Sequence, residues 1–503
     1  MKSNLRTPGN YFAVLLAIAL LSSLTMGQAG PTTGPTGQTT KGAVIKGKAP
    51  VNKEILKVKL PKARETTLPN GLRLLVLESH KVPTVTMQMV VLSGGLADKP
   101  DYHGLASFTA SLLREGTAKR SSKDIAEQID ALGAILVSSS GLSSLTSMVT
   151  AAGLAENLDQ TLDIFADVIR NPVFPPAEVQ KFKARTLAQL QFQRSNPLFL
   201  AQERISRAIY GDHPAALVAP PPDSLNKLVS ADLADFHSRY YRPNNAILTI
   251  VGDVTLRDVL PKVQKAFGDW EKAIVPSIEV PQAPTPASSR IVLIDRPGSV
   301  QTVLQLGNLG ITRTDADYYA VVLADRILGG GPAARLFLNL REDKGYTYGA
   351  YSSFAASKYR GTWISNAEVR TDVTEGAMRE FMYELRRLRN EKVTTDELDN
   401  AKHAIVGSFA LSLEQPQILL QNIITQKLYD LPGDYWDMYP QKVAAVTLED
   451  VQRVAQKYLD LDHLQIVAVG DATKARDALA KYGKVEVYNS EGKPIALSKT
   501  KNE

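Results

Sequence analysis

The chain has 503 residues, 44% hydrophobic and 22% charged, a balance that supports several globular domains and excludes a disordered or fibrous protein. It contains no cysteine, which removes thiol nucleophiles, disulfides and cysteine-held metals. The formal net charge of +6 is scattered among acids without a basic block, so nucleic acid is not an expected partner.

Lys2 and Arg6 precede an apolar run from Phe12 to Leu21, followed by Ser22, Ser23 and small residues around Gly27 to Ala29. Residues 1–29 therefore read as a secretory signal, with an apolar run too short to span a bilayer. No later stretch is long and apolar enough to do so, and the expectation is an exported, periplasmic protein with no membrane span after signal cleavage. Residues 30–51, rich in Gly, Thr, Pro and Lys, read as a flexible tether. An N-terminal domain over 52–274 and a C-terminal domain over 290–488 follow, separated by the proline-rich linker 275–289, and 489–503 form a polar tail.

The two domains repeat one another. Asp232, Phe236 and Tyr240 precede an apolar run, Ile247 to Val251, that ends in Gly252-Asp253; 218 positions later Asp450, Val454 and Tyr458 precede Ile466 to Val469 and Gly470-Asp471. Pro176-Ala-Glu178-Val179 and Thr395-Asp-Glu397-Leu398 each open a long helical pattern with an acid in the first turn. Strand patterns at Leu72 to Leu77 and Val85 to Leu92 match Ile291 to Ile294 and Val300 to Leu306. The predicted fold class is α+β: two homologous half-domains, each a mixed or antiparallel sheet covered by helices on one side, with a ligand site between two facing lobes.

The stretch Gly104-Leu-Ala-Ser107-Phe-Thr-Ala110-Ser111-Leu-Leu-Arg-Glu-Gly116-Thr117 resembles the pitrilysin or insulinase peptidase family, to which mitochondrial processing peptidase belongs. So do Leu68-Pro-Asn-Gly71, Tyr241-Arg-Pro-Asn-Asn245, Leu328-Gly-Gly-Gly331 and Leu340-Arg341-Glu, and the likeness runs from about Asn52 to Tyr488. It implies a clamshell of two half-domains and, in active members, a His-x-x-Glu-His zinc motif completed by a Glu on a later helix. Here those four positions are Ser107, Ala110, Ser111 and Gln189. Hydroxyls and an amide are poor zinc ligands beside imidazole and carboxylate, and alanine cannot accept a proton. The six histidines (His80, His103, His213, His237, His403, His463) supply no replacement motif, and neither serine has a local base to make it a nucleophile. No cofactor is therefore expected in this chain.

Other parts of the family pattern are retained. The resemblance assigns Arg341 and Tyr348, seven residues apart, to the Arg/Tyr pair that faces the metal from the non-zinc half, where both can donate to developing negative charge. Read from the residues alone, Arg341 is a cation at a helix C-terminus, Tyr348 a half-buried strand aromatic, and Tyr346 the fallback if the pair is offset. Gly329, Gly330 and Gly331 resemble a shortened form of the substrate-touching glycine loop of the processing peptidase's non-zinc subunit; they also fit a plain helix stop before Pro332. The expectation is a non-zinc subunit that completes the site of a homologous zinc-bearing partner, acting in trans on peptides or unfolded polypeptides. A non-catalytic peptide-binding or scaffold protein on the same fold is the alternative.

Overall fold

Strands buried on both faces, not amphipathic ones, dominate the centre of this protein. Leu56 and residues 58–495 are described by the computed structural model; the predicted leader, the tether and the end of the tail lie outside them. The first sheet is formed by β1 (Arg64–Thr67), β2 (Arg73–Glu78), β3 (Thr84–Val91), β4 (Ile135–Ser140), β5 (Ser147–Leu154) and β6 (Ala246–Gly252), in the order β1-β2-β6-β3-β5-β4. The second comprises β7 (Arg290–Asp295), β8 (Gln301–Leu309), β9 (Thr347–Phe354), β10 (Thr362–Arg370), β11 (Gln465–Gly470) and β12 (Val485–Tyr488), ordered β12-β7-β11-β8-β10-β9.

Five positions correspond in the two sheets, as the repeat predicts. Both are mixed: β2 pairs parallel with β6, and β7 with β11, while the pairs toward the β4 and β9 edges are antiparallel. The sixth strand comes from opposite ends of the repeat. β1 precedes its sheet and runs antiparallel to β2, whereas β12 follows and runs parallel to β7.

Six helices matter for the site: α1 (Leu105–Leu112), α2 (Pro176–Gln193), α3 (Pro197–Tyr210), α4 (Tyr318–Leu328), α5 (Thr395–Ser412) and α6 (Pro416–Leu428). Alternation along the strands divides the core. Leu74, Val76, Met87, Leu248 and Ile250 join Phe108 and Phe165 from helices of their own half. The intervening Leu75, Leu77, Ile247 and Val251 instead meet Leu419, Leu420 and Ile423 of α6, from the other half. In the second sheet, Val292, Ile294, Val303, Val467 and Val469 face Leu200, Ile205 and Ile209 of α3.

Each half thus sends one helix onto the other's sheet. The sequence pattern predicts helices on one side of each sheet only. The second cover comes from residues distant in sequence, and it explains why β6 and β11 are buried along their whole length and read as continuous apolar runs. The proline-rich stretch 275–289 contains no helix or strand, yet Ala283 is buried and Ile278 and Val280 pack against the α3 cluster. The ring Nε2 of His213 lies 3.0 Å from the Pro281 carbonyl, so the connection is held down on both sides of this contact. Both halves belong to one compact unit.

Candidate functional site

α1 begins at Gly104, whose φ of 102° lies in the left-handed region; an added Cβ there would stand 3.0 Å from Pro220 Cβ. With no side-chain cap at that residue, Asp98 does the capping, accepting from the backbone N–H of Gly104 at 2.7 Å and of Ala106 at 2.8 Å. Burial pushes its carboxyl up to about 7, against the opposing effect of those amide donors. The C-terminal end of α1 is tied to the edge strand of the first sheet: Ser138 Oγ donates to the Ala110 carbonyl at 2.6 Å, and Arg114 to the Leu136 carbonyl at 2.9 Å.

On this rigid helix Ser107 and Ser111 are half-buried one turn apart, and Ala110 is fully buried between them. α2 meets α1 through an edge-to-face contact of Phe182 with Phe108, ring centroids 4.7 Å apart. Gln189, two turns beyond Phe182 and on the same face of α2, is exposed, and the Arg185 guanidinium sits over the Phe182 ring at 5.1 Å.

The side chains at the candidate ligand positions are two hydroxyls and an amide, which do not suit Zn²⁺. Among the described residues no group of three or more His, Cys, Asp or Glu could hold a metal ion. His103, the histidine nearest α1, is half-buried, and burial lowers its pKa despite the neighbouring Asp101.

The second half presents Arg341 and Tyr348 on irregular backbone. The sequence suggests a helix from Pro332 to Asp343; the structure has a single turn, Arg335–Phe337, that widens into a π-helical segment, Leu338–Asp343. Arg341 lies within it, with its guanidinium 2.6 Å from Glu342 and over the Phe337 ring at 4.8 Å. Phe337 in turn packs 5.6 Å from the Tyr351 ring of β9.

By residue pattern alone, Tyr346, Tyr348 and Ala350 alternate regularly along a strand. Pairing with β10 instead shifts between Ala350, opposite Ala367, and Thr347, opposite Val369, so Tyr348 and Gly349 together oppose Glu368. This is a β-bulge, held by the Thr347 hydroxyl bonding to the carbonyls of Gly349 (2.9 Å) and Glu368 (2.7 Å). Simple alternation would have placed Tyr348 on the buried face with Ala350; the bulge leaves it 90% exposed. Tyr346 is half-buried, and its hydroxyl lies 2.9 Å from where a Cβ on Gly376 would stand. Of the two phenols, Tyr348 is the one open to a ligand.

Gly329 is buried because β9 passes directly over it: a Cβ would lie 2.1 Å from the Ser352 amide nitrogen, which donates to the Gly329 carbonyl at 3.0 Å. Asp325 braces the same corner by accepting from Ser352 Oγ at 2.6 Å, and burial pushes its carboxyl up to about 6. The Gly330 carbonyl accepts from Arg326. Gly331 and Arg326 border a cavity of about 150 Å³ with Glu397 and Asn400. Glu397 holds the buried Arg335 through two bonds of 2.7 and 2.9 Å. In the sequence Glu397 marks only a helix start, since its partner Arg335 lies 62 residues away and carries no local signal.

Residues 73–220 match the family model described as Insulinase (Peptidase family M16), and residues 227–405 the model described as Peptidase M16 inactive domain. A Bacillus subtilis protein described as an uncharacterized zinc protease is 24% identical, covering 79% of this chain and 96% of its own. A similarly described protein of Streptomyces coelicolor is 27% identical over 79% of this chain and 87% of its own. Among solved structures, a peptidase M16 inactive domain from Pseudomonas fluorescens superposes with a TM-score of 0.75 at 28% identity, covering 81% of this chain and 98% of that one. A protease from Helicobacter pylori shows the same fold, with a TM-score of 0.75 at 20% identity over 82% of this chain and 100% of that one.

Proposed function

The chain belongs to the insulinase family of peptidases, family M16, and we propose that it is a non-zinc subunit of an exported two-chain peptidase, supplying Arg341 and Tyr348 in trans to a homologous zinc-bearing partner. One contrast carries this reading. The four positions that the family's zinc motif would occupy hold Ser107, Ala110, Ser111 and Gln189, while the Tyr348 phenol stands out to solvent at a β-bulge.

In this reading the partner carries the hydrolytic centre. This chain closes the substrate chamber, and its guanidinium and phenol donate toward negative charge developing on the scissile carbonyl or toward the neighbouring substrate backbone. Neither group has to titrate to do this. Gly330 and Gly331 would border the bound segment, Gly329 being buried beneath β9, and substrates are peptides or unfolded polypeptides laid along a strand edge. The proposed site of action is the periplasm or an equivalent exported space, on the strength of the leader pattern in residues 1–29.

The test is a quenched-peptide assay on this chain mixed with the purified zinc-bearing homologue from the same organism. The mixture should exceed the homologue alone, and Arg341→Ala in this chain should lower turnover by roughly one to three orders of magnitude. Arg341 is, however, already engaged by Glu342 and Phe337, which favours a second reading, a peptide-binding or scaffold protein without a catalytic share. An Arg341→Ala mixture as active as wild type would select that reading.

A further inference from the structure

The exchanged helices cover the two sheets separately, and a cavity of about 410 Å³ lies where the two covers meet. Leu145, Ile278 and Val280 border it from the α3 side and pack against the α3 cluster. Leu92 borders it from the other side, as part of the cluster of Leu75, Ile247 and Ile423 beneath α6. Strand and helix periodicity bring cations to the same place. Arg73 lies two residues before Leu75 on β2 and projects to the same face, and Lys427 follows Ile423 by one turn of α6. Lys358 enters from the segment joining β9 to β10, which is anchored by its neighbour Tyr359, whose hydroxyl donates to the Ser143 carbonyl of the first half at 3.2 Å.

These charges do not balance. Lys427 is paired with Glu65 at 2.6 Å. Arg73 is half-buried and Lys358 exposed, and among the described residues neither side chain has an ion-pair or hydrogen-bond partner. One acid stands against them, Asp430, exposed and likewise unpaired just beyond the end of α6. A guanidinium held partly out of water without a counter-ion favours an anion, and the apolar residues beside it suit a hydrocarbon body. A cationic ligand would meet net positive charge, and a wholly apolar one would bury Arg73 further without pairing it. We infer that this cavity binds an amphipathic anion, with a carboxylate or phosphate head at Arg73 and Lys358 and an apolar body against Leu145, Ile278 and Val280. Such a ligand touches both halves and the segment joining them, so binding stabilises their assembly. The site is independent of the peptidase role proposed above.

The test is isothermal titration of the purified full chain with octanoate and with octyl phosphate below their micelle-forming concentrations, beside 1-octanol, acetate and inorganic phosphate. At least one of the two amphipathic anions should bind with a stoichiometry of one, about ten-fold or more tightly than octanol and than the small anion with the same head group. A preference between octanoate and octyl phosphate identifies the head group, and either preference supports the site. Arg73→Gln should weaken binding by about five- to thirty-fold and Lys358→Gln by about two- to five-fold, while Asp430→Asn should strengthen it. Without ligand, the melting temperatures of Arg73→Gln and Lys358→Gln should not fall, because neither cation has a protein partner to lose; with ligand, only the wild type should gain appreciably. Octanol or the small anions binding as tightly as the amphipathic ones, an affinity unchanged in both Gln variants, or no binding of either amphipathic anion would overturn the inference.

Discussion

Two carboxylates give stability opposite dependences on pH, and both can be tested by single substitutions. Burial would raise the Glu397 carboxyl, but the Arg335 guanidinium and the Thr394 backbone N–H hold it at about 2. Its contribution is present above an ordinary carboxylate pKa and is lost as pH falls from about 4.5 toward 2. Asp98 is pushed the other way, up to about 7, so its contribution is complete below about 4 and is lost as pH rises through 7. Melting temperatures measured from pH 3 to 8 should therefore show a shallower acid-side fall in Glu397→Gln and a flatter slope between pH 5 and 8 in Asp98→Asn. An unchanged profile in either variant would show that its partner groups do not set that titration. Glu397→Ala should cost more than Glu397→Gln, because it leaves Arg335, only 5% exposed, as an uncompensated buried cation.

At the scale of elements, glycine and helix exchange make distinct predictions. Gly329→Ala forces a methyl into the β9 backbone and should destabilise by about 1–3 kcal/mol, whereas Gly345→Ala, with open space around its Cβ position, should be limited to the strain of its φ of 64°. Urea midpoints of the two variants would separate packing from conformational strain. Leu420 belongs to α6 but is buried against the first sheet, so Leu420→Ala should cost about 2–5 kcal/mol and expose both halves together. Independent melting of two halves in that variant would show that helix exchange does not couple them. The bulge and the π-helical segment were not readable from the residues. Tyr346-Thr-Tyr348-Gly-Ala350 has an ordinary alternating pattern, and the register shift depends on how β10 pairs with it.

For the whole molecule, the decisive measurement is zinc content by elemental analysis of the purified chain, which should be far below one per chain. A tightly held zinc would overturn the reading of Ser107, Ala110, Ser111 and Gln189 as replaced zinc positions, a reading that rests on the resemblance to the family's motif. Sequence alone determined the duplication, the α+β class and the central strands of both sheets, because periodicity is a local property; the assignment of Ser107, Ala110, Ser111 and Gln189 to the zinc positions rests on the family resemblance. Which apolar face each helix covers, where Arg335 finds its carboxylate, and that Tyr348 points outward beside Glu368 were decided only by tertiary structure. Each depends on strand register or on contacts between segments far apart in the chain, and local residue pattern fixes neither.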